Sequence, residues 1–193
     1  MKSDEESYLR ECIRKSRRFL EFGAGFSTKL ALDDPERIIY SIETSVDYIS
    51  ALRKEIESLY EKERLENLHL IHIDIGPTKE WGRPISDEFM DSWPTYSSKP
   101  WEIMKAHHFK PDLILIDGRF RVSTFLQAWK NAPGATIIFD DFFNRPQYHK
   151  VVALIKPLRR DGRIATFKIP GVFRLRKFYL WKRLLPIFRL DFE

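Results

Sequence analysis

The sequence predicts an α/β fold: a Rossmann-like, doubly wound, mostly parallel sheet that finishes in a C-terminal antiparallel hairpin. Three observations carry this. Short apolar runs of strand length alternate with segments of helical periodicity from residue 17 to about 170, and that alternation builds a parallel sheet with helices on both faces. The first run is broken by Gly23-Ala24-Gly25, where glycine lets a strand-to-helix turn approach a ligand closely. Carboxylates recur where the runs end, at Glu21, Glu43, Asp74, Asp117, Asp140 and Asp141. In open sheets of this kind, ligands sit at the carboxyl ends of the strands.

Taken in order, Ser3 and Glu6 form a capping box for a helix through Tyr8, Leu9, Cys12 and Ile13. Phe19 to Phe22 is a strand, and Ser27-Thr28 opens a short helix. Ile38 to Ile42 is a second strand ending at Glu43. Thr44 and Asp47 then cap a helix whose Val46, Ile49, Leu52, Ile56 and Leu59 share one face. Leu68 to Ile75 is a third strand. Residues 76 to 105, with Pro77, Pro84, Pro94 and Pro100, read as irregular, a flap too long for an ordinary connection. Asp112 to Ile116 and Ala135 to Phe139 are buried-type strands on either side of a helix marked by Val122, Phe125, Leu126 and Trp129. A helix through Val151, Val152, Leu154, Ile155 and Leu158 follows. Ile164 to Ile169 and Val172 to Phe178 then read as a hairpin about Pro170-Gly171.

Composition sets the bounds. A chain of 193 residues, 43% hydrophobic and 32% charged, suits one domain over residues 1–193. No apolar run reaches the length of a membrane span, and the N-terminus has no signal-like apolar region. Cys12 is the only cysteine, so a reducing, cytoplasmic setting is expected. The net charge of +5 is uneven: Lys156 to Arg189 holds eleven Lys/Arg against one Asp, a net of +10, and the remainder carries −5.

The segment from Glu21 to Thr28 is the sharpest local signal. Its glycines and the helix that follows suit an anionic group such as an amino-acid carboxylate. Glu43, twenty residues after Gly23, stands where a carboxylate accepts hydrogen bonds from both ribose hydroxyls. A dinucleotide fingerprint wants Gly or Ala where this chain has Thr28, which disfavours NAD.

These residues resemble the class I S-adenosylmethionine-dependent methyltransferases. Glu21-x-Gly23-x-Gly25 is similar to their first motif, Glu43 to the ribose-binding acid, and Asp74-Ile75 to the segment flanking the adenine. The strings DIGPTKEWGRPISD, WPTY, PDLILIDGRFRVSTFL and IIFDDF resemble a narrower group of small bacterial methyltransferase-like proteins, over roughly residues 17 to 170. The resemblance implies S-adenosylmethionine as cofactor. It places the cofactor at Glu21, Gly23, Ala24, Gly25, Ser27, Thr28, Glu43, Thr44, Asp74, Ile75, Asp117 and Gly118.

The reaction site is expected at Asp117, Asp140 and Asp141. Neighbouring strands lie about 5 Å apart, and carboxylates so close repel one another unless a cation or a proton intervenes. Two alternatives follow. One is Mg²⁺ held by Asp117, Asp140 and Asp141, as the similarity to catechol-type O-methyltransferases implies, although Asp141 here replaces an Asn. The other is neutralisation by Arg119 or Arg121, only one of which need reach the cleft, with Asp140 or Asp141 as the base. Arginine also suits an anionic acceptor. Trp81, Trp93, Tyr96 and Trp101 are candidate walls of an acceptor pocket, or simple packing over the sheet edge. His149 is a weaker candidate base, more often a surface or packing residue at such a position, and His107 and His108 read as structural.

The tail, residues 171–193, interleaves basic and aromatic residues. It suits peripheral contact with an anionic membrane face, or docking on the domain or on a second copy in a homodimer. No recognised nucleic-acid module is present. The leading expectation is a methyltransferase acting on oxygen of a small-molecule or glycan-related acceptor. The alternative is a non-catalytic nucleoside-binding module whose basic tail contacts a partner or membrane, and a dehydrogenase comes third.

Overall fold

The computed structural model describes residues 3–171, 175–188 and 190. Its main sheet has seven strands: β1 (Arg18–Phe22), β2 (Ile38–Glu43), β3 (Leu68–His72), β4 (Leu113–Ile116), β5 (Thr136–Phe139), β6 (Arg159–Asp161) and β7 (Ile164–Lys168). The spatial order is β3-β2-β1-β4-β5-β7-β6. The first five strands are mutually parallel, and β7 runs antiparallel to both β5 and β6. The order reverses between β1 and β4, and that switch point leaves a crevice at the strand ends.

Alternation along each strand divides the core in two. Phe22, Ile114, Ile116, Ile137 and Phe139 face one side, where they meet α4 (Trp93–Ala106), α5 (Arg121–Asn131) and α6 (Leu175–Phe188). Phe19, Leu113, Leu115 and Ile138 face the other, against α1 (Ser3–Arg14), α2 (Phe26–Ala31) and α3 (Val46–Leu59). Each side chain so buried contributes about 1.5–3 kcal/mol. In α3 the cap is Ser45, whose Oγ accepts from the Tyr48 amide at 3.2 Å, one residue beyond the expected Thr44.

Three expectations are corrected. Residues 76–105 are not irregular throughout: Thr78–Lys79 and Arg83–Pro84 form a two-residue antiparallel ribbon, and the second half is α4. Pro94 sits in the first turn, where its missing N–H costs nothing. Pro100 is inside the helix, but burial of Trp93, Tyr96, Ser97, Pro100 and Met104 along one face outweighs the lost hydrogen bond. The segment Pro146–Ala153 is a 3₁₀ helix rather than an α-helix. The antiparallel hairpin turns at Gly162, one strand earlier than Pro170-Gly171. Residues 172–174 lie outside the described set, and Leu175–Phe188 is helical. Trp181 anchors that helix by donating Nε1–H to the Leu126 carbonyl at 2.7 Å. No helix among the described residues is long and apolar enough to cross a membrane.

Candidate functional site

The crevice floor is backbone against backbone. Gly23 follows β1 with φ +97°, and a Cβ there would lie 2.7 Å from the Gly118 amide nitrogen. A Cβ on Gly118 would in turn lie 2.1 Å from Tyr96 Oη and 2.9 Å from Gly23 N. The turns after β1 and β4 meet only because neither residue has a side chain.

Glu21, on β1, is fully buried. Its Oε1 accepts from Thr28 Oγ1 and Ser41 Oγ, each at 2.5 Å, and its Oε2 accepts from Ser27 Oγ. Thr28 Oγ1 also accepts from the Gly25 amide at 2.8 Å. The carboxyl thus ties the glycine turn and α2 to β1 and β2, and has no open surface. Burial pushes its pKa up to about 7, against the pull of the three hydroxyl donors. Ala24 is buried in the same turn. The helix that follows spans six residues.

Glu43 ends β2 with a different geometry. Its Oε1 accepts from the Thr44 amide at 2.7 Å, from Thr44 Oγ1 at 3.1 Å and from the Ser45 amide at 3.1 Å. Its Oε2 takes no partner among the described residues. The ribbon closes over this acid: Thr44 Oγ1 donates to the Gly82 carbonyl at 3.4 Å, and a Cβ on Gly82 would lie 2.4 Å from Thr44 Oγ1. Beside it Trp81 is 82% exposed and holds a left-handed backbone, φ 64°. Asp74 follows β3 and accepts the Gly76 amide at 2.9 Å, while Ile75 is fully buried.

The three aspartates gather at the ends of β4 and β5, as expected, and arginines surround them. Arg121 is buried. It donates Nε–H to the Gly118 carbonyl at 2.9 Å, Nη1–H to the Asp140 carbonyl at 2.8 Å, and Nη2–H to the Asp117 carbonyl at 2.7 Å and Asp117 Oδ1 at 3.0 Å. Arg163, from the β6–β7 turn, forks onto Asp140, with Nε to Oδ1 at 2.8 Å and Nη2 to Oδ2 at 3.0 Å. Asp141 lies 3.3–3.5 Å from Arg163, Arg121 and Arg145. Two residues here hold left-handed backbones, Phe120 at φ 52° and Asp141 at φ 58°. The Phe120 conformation is the costlier for a bulky residue, and its ring is locked by Trp93 and Tyr96 at 5.9 and 5.7 Å.

This resolves the alternatives about charge. The donor set does not suit a divalent ion: both Asp140 oxygens are taken by a guanidinium fork, and among the described residues no three His, Cys, Asp or Glu side chains are grouped to hold a metal. In this structure the charges of Asp117, Asp140 and Asp141 are met by Arg121, Arg163 and Arg145. Arg121 reaches the aspartates and Arg119 does not. Asp140 and Asp141 are the more enclosed of the three, with side chains 7% and 18% exposed. Asp117 differs: its side chain is 46% exposed toward the cleft. Its pKa is raised by the surrounding protein and by Asp140 beside it, and Arg121 opposes the rise.

Of the aromatic candidates, Trp93 and Tyr96 are buried and Trp101 packs against Phe22 at 6.4 Å. These three form core, and Trp81 is the exposed one. His107 Nδ1 meets Tyr40 Oη at 2.6 Å and His149 Nε2 meets the Phe142 carbonyl at 2.9 Å, both structural roles. Sequence reasoning missed Arg163, Arg145, Ser41 and Tyr148. Tyr148 is buried under the Arg121 guanidinium, 5.7 Å from its ring. No local sequence signal marks Arg163: it comes beside Asp140-Asp141 only through the antiparallel β5–β7 register, continued beyond Phe139↔Ala165 into the β6–β7 turn.

No protein-family model matches the sequence, and neither does any curated protein. Solved structures do. A methyltransferase-like protein from Silicibacter pomeroyi superposes with a TM-score of 0.82 at 26% identity, covering 100% of this chain and 96% of that one. An O-methyltransferase from Bacillus cereus in complex with SAH (S-adenosylhomocysteine) gives 0.51 at 15% identity, covering 97% and 70%. An RNA methyltransferase from Salinibacter ruber, also with S-adenosylhomocysteine, gives 0.51 at 11%, covering 91% and 96%. The fold is that of the S-adenosylmethionine-dependent methyltransferases.

Proposed function

We propose that this chain is an S-adenosylmethionine-dependent methyltransferase acting on oxygen of a small-molecule or glycan-related acceptor. The observation that carries the reading is the crevice at the switch point. Gly23 and Gly118 meet there without side chains, and Glu43 stands one strand away with Oε2 free. A sulfonium nucleoside fits this arrangement. Glu43 Oε2 would accept its ribose hydroxyls, the turn from Gly23 to Thr28 would face its amino-acid end, and Asp74 lies near the adenine side. The neighbouring folds support the same cofactor.

When bound, the cofactor supplies an electrophilic methyl group. The chain's own residues do the rest. Arg121 fixes the ends of β4 and β5 relative to each other, so an acceptor bound between them is held in one orientation. Asp117 is the base, because its carboxyl is the most exposed of the three and so the one a hydroxyl can reach. Asp140, Asp141 and Arg163 act as supports. Glu21 holds the glycine turn in place from beneath.

The test is methyl transfer from labelled S-adenosylmethionine into candidate acceptor pools, read by mass spectrometry. Asp117→Asn should lose about a hundredfold or more in transfer rate at saturating S-adenosylmethionine, beyond any change in S-adenosylhomocysteine affinity. Wild-type turnover by that variant would remove Asp117 from the chemistry.

A further inference from the structure

The arginines around the crevice do not all share one fate. Arg121, Arg145 and Arg163 are matched with Asp117, Asp140 and Asp141. Arg119 is left over. Its Nε is buried with no hydrogen-bond partner, and its side chain forms no ion pair among the described residues. The groups acting most strongly on it are Arg121, Tyr148, Arg83 and Tyr96, with no carboxylate among them. Burial and the like charge of Arg121 both push its pKa down. A guanidinium part-buried without a counter-charge is costly, and such a cost persists where a ligand relieves it.

Its surroundings indicate which ligand. Arg119 directly follows Gly118, the residue that touches Gly23 at the crevice floor, and its backbone is hydrogen-bonded to the Tyr96 phenol. Arg83 is the last cation of the ribbon that covers Glu43 and Thr44, and it too has no partner among the described residues. Arg83, exposed on the ribbon, is among the like charges that act on Arg119 from outside its own turn. Guanidiniums grip planar or tetrahedral oxyanions through paired N–H donors.

We infer that Arg119, assisted by the exposed Arg83 of the ribbon, binds an oxyanion group of the acceptor, a carboxylate or a phosphate. This rests on the methyl-transfer reading for the word acceptor, and on Arg119 and Arg83 alone for the anion site. In this arrangement the anion anchors one end of the acceptor on the arginines and leaves its hydroxyl to Asp117. A neutral acceptor would leave the buried Nε–H of Arg119 without a partner.

The experiment titrates the full chain with inorganic phosphate and, separately, with malonate. It is run by calorimetry at constant ionic strength, with and without saturating S-adenosylhomocysteine. Wild-type protein should bind at least one of the two saturably. Stronger binding of phosphate marks a phosphorylated acceptor, and of malonate a carboxylated one. Arg119→Gln should weaken that anion at least about tenfold, the loss expected for a charged, paired contact. Arg83→Gln should weaken it less, and the exposed control Lys54→Gln not at all. If thermal scans show Arg119→Gln unfolded, Arg119→Lys replaces it; that variant keeps the charge, loses the fork and should also weaken the anion. Equal affinity in wild type and the folded Arg119 variant, or no saturable binding of either anion, overturns the site. Failure of the cofactor reading would appear only in the S-adenosylhomocysteine titration, so the two are separable.

Discussion

Replacing Glu21 by Gln should change how stability depends on pH, and the size follows from its burial. The carboxyl has no exposed surface, and its pKa rises from 4.5 to about 7, chiefly through desolvation, with a smaller push from Glu43. Three hydroxyl donors limit the rise. The folded state therefore holds this proton more tightly than the unfolded chain. The stability Glu21 contributes in its neutral form is fully present below pH 4.5 and is lost as pH rises through about 7. At about 1.4 kcal/mol per unit, the loss is about 3 kcal/mol. Glutamine has the same shape and does not titrate, and the surrounding hydroxyls can rotate to meet its amide. Urea unfolding followed by tryptophan fluorescence, at about pH 5, 6, 7 and 8, should show Glu21→Gln gaining about 2.5 kcal/mol on wild type between the lowest and highest pH, the remainder of the change lying below pH 5. Titrations of other groups cancel in that difference. A wild-type-minus-variant difference that stays constant across the range would refute the buried, proton-holding Glu21.

Asp140→Ala should destabilise by about 2–3 kcal/mol in thermal or urea unfolding, because it removes both charged hydrogen bonds of the Arg163 fork and leaves that arginine only its longer contacts to Asp141 and Glu5; a stabilised variant would mean that carboxylate repulsion dominates instead. Gly118→Ala should cost about 2 kcal/mol or more, since its Cβ would meet both Tyr96 Oη and the Gly23 amide. Adding Tyr96→Phe should restore only part of that loss, and full rescue would deny the backbone contact. Transfer activity, once an acceptor is found, should be unchanged by a chelator, because arginines already balance the three aspartates; loss with chelator and recovery with Mg²⁺ would reinstate a metal.

Much of this architecture is legible in the sequence because the parallel strands are short, apolar and fully buried. The runs at residues 113–116 and 136–139 have no other stable place than a sheet centre. The carboxylates at their ends are legible for the same reason: charge beside a buried strand marks an edge that faces something polar. What the sequence hides is mostly long-range pairing. Arg163 meets Asp140 only through an antiparallel register that depends on where the hairpin turns. Pro170-Gly171 offers a stronger local turn signal than Gly162, so the register reads wrongly. The helix from Trp93 is hidden by Pro94 and Pro100, whose local cost is outweighed by burial visible only in three dimensions. Arg119 and Arg121 have equal standing in the sequence. The left-handed turn at Phe120 sends them to different tasks, one to bind the aspartates and the other to remain without a partner.

The central claim is that the crevice between β1 and β4 holds a sulfonium nucleoside through Glu43. Calorimetry of S-adenosylhomocysteine and NAD against wild type and Glu43→Ala tests it most directly. S-adenosylhomocysteine should bind saturably, weakened about ten- to a hundredfold in Glu43→Ala by loss of charged hydrogen bonds to ribose, with no comparable binding of NAD. Tighter binding of NAD than of S-adenosylhomocysteine, or equal S-adenosylhomocysteine affinity in wild type and Glu43→Ala, would contradict it.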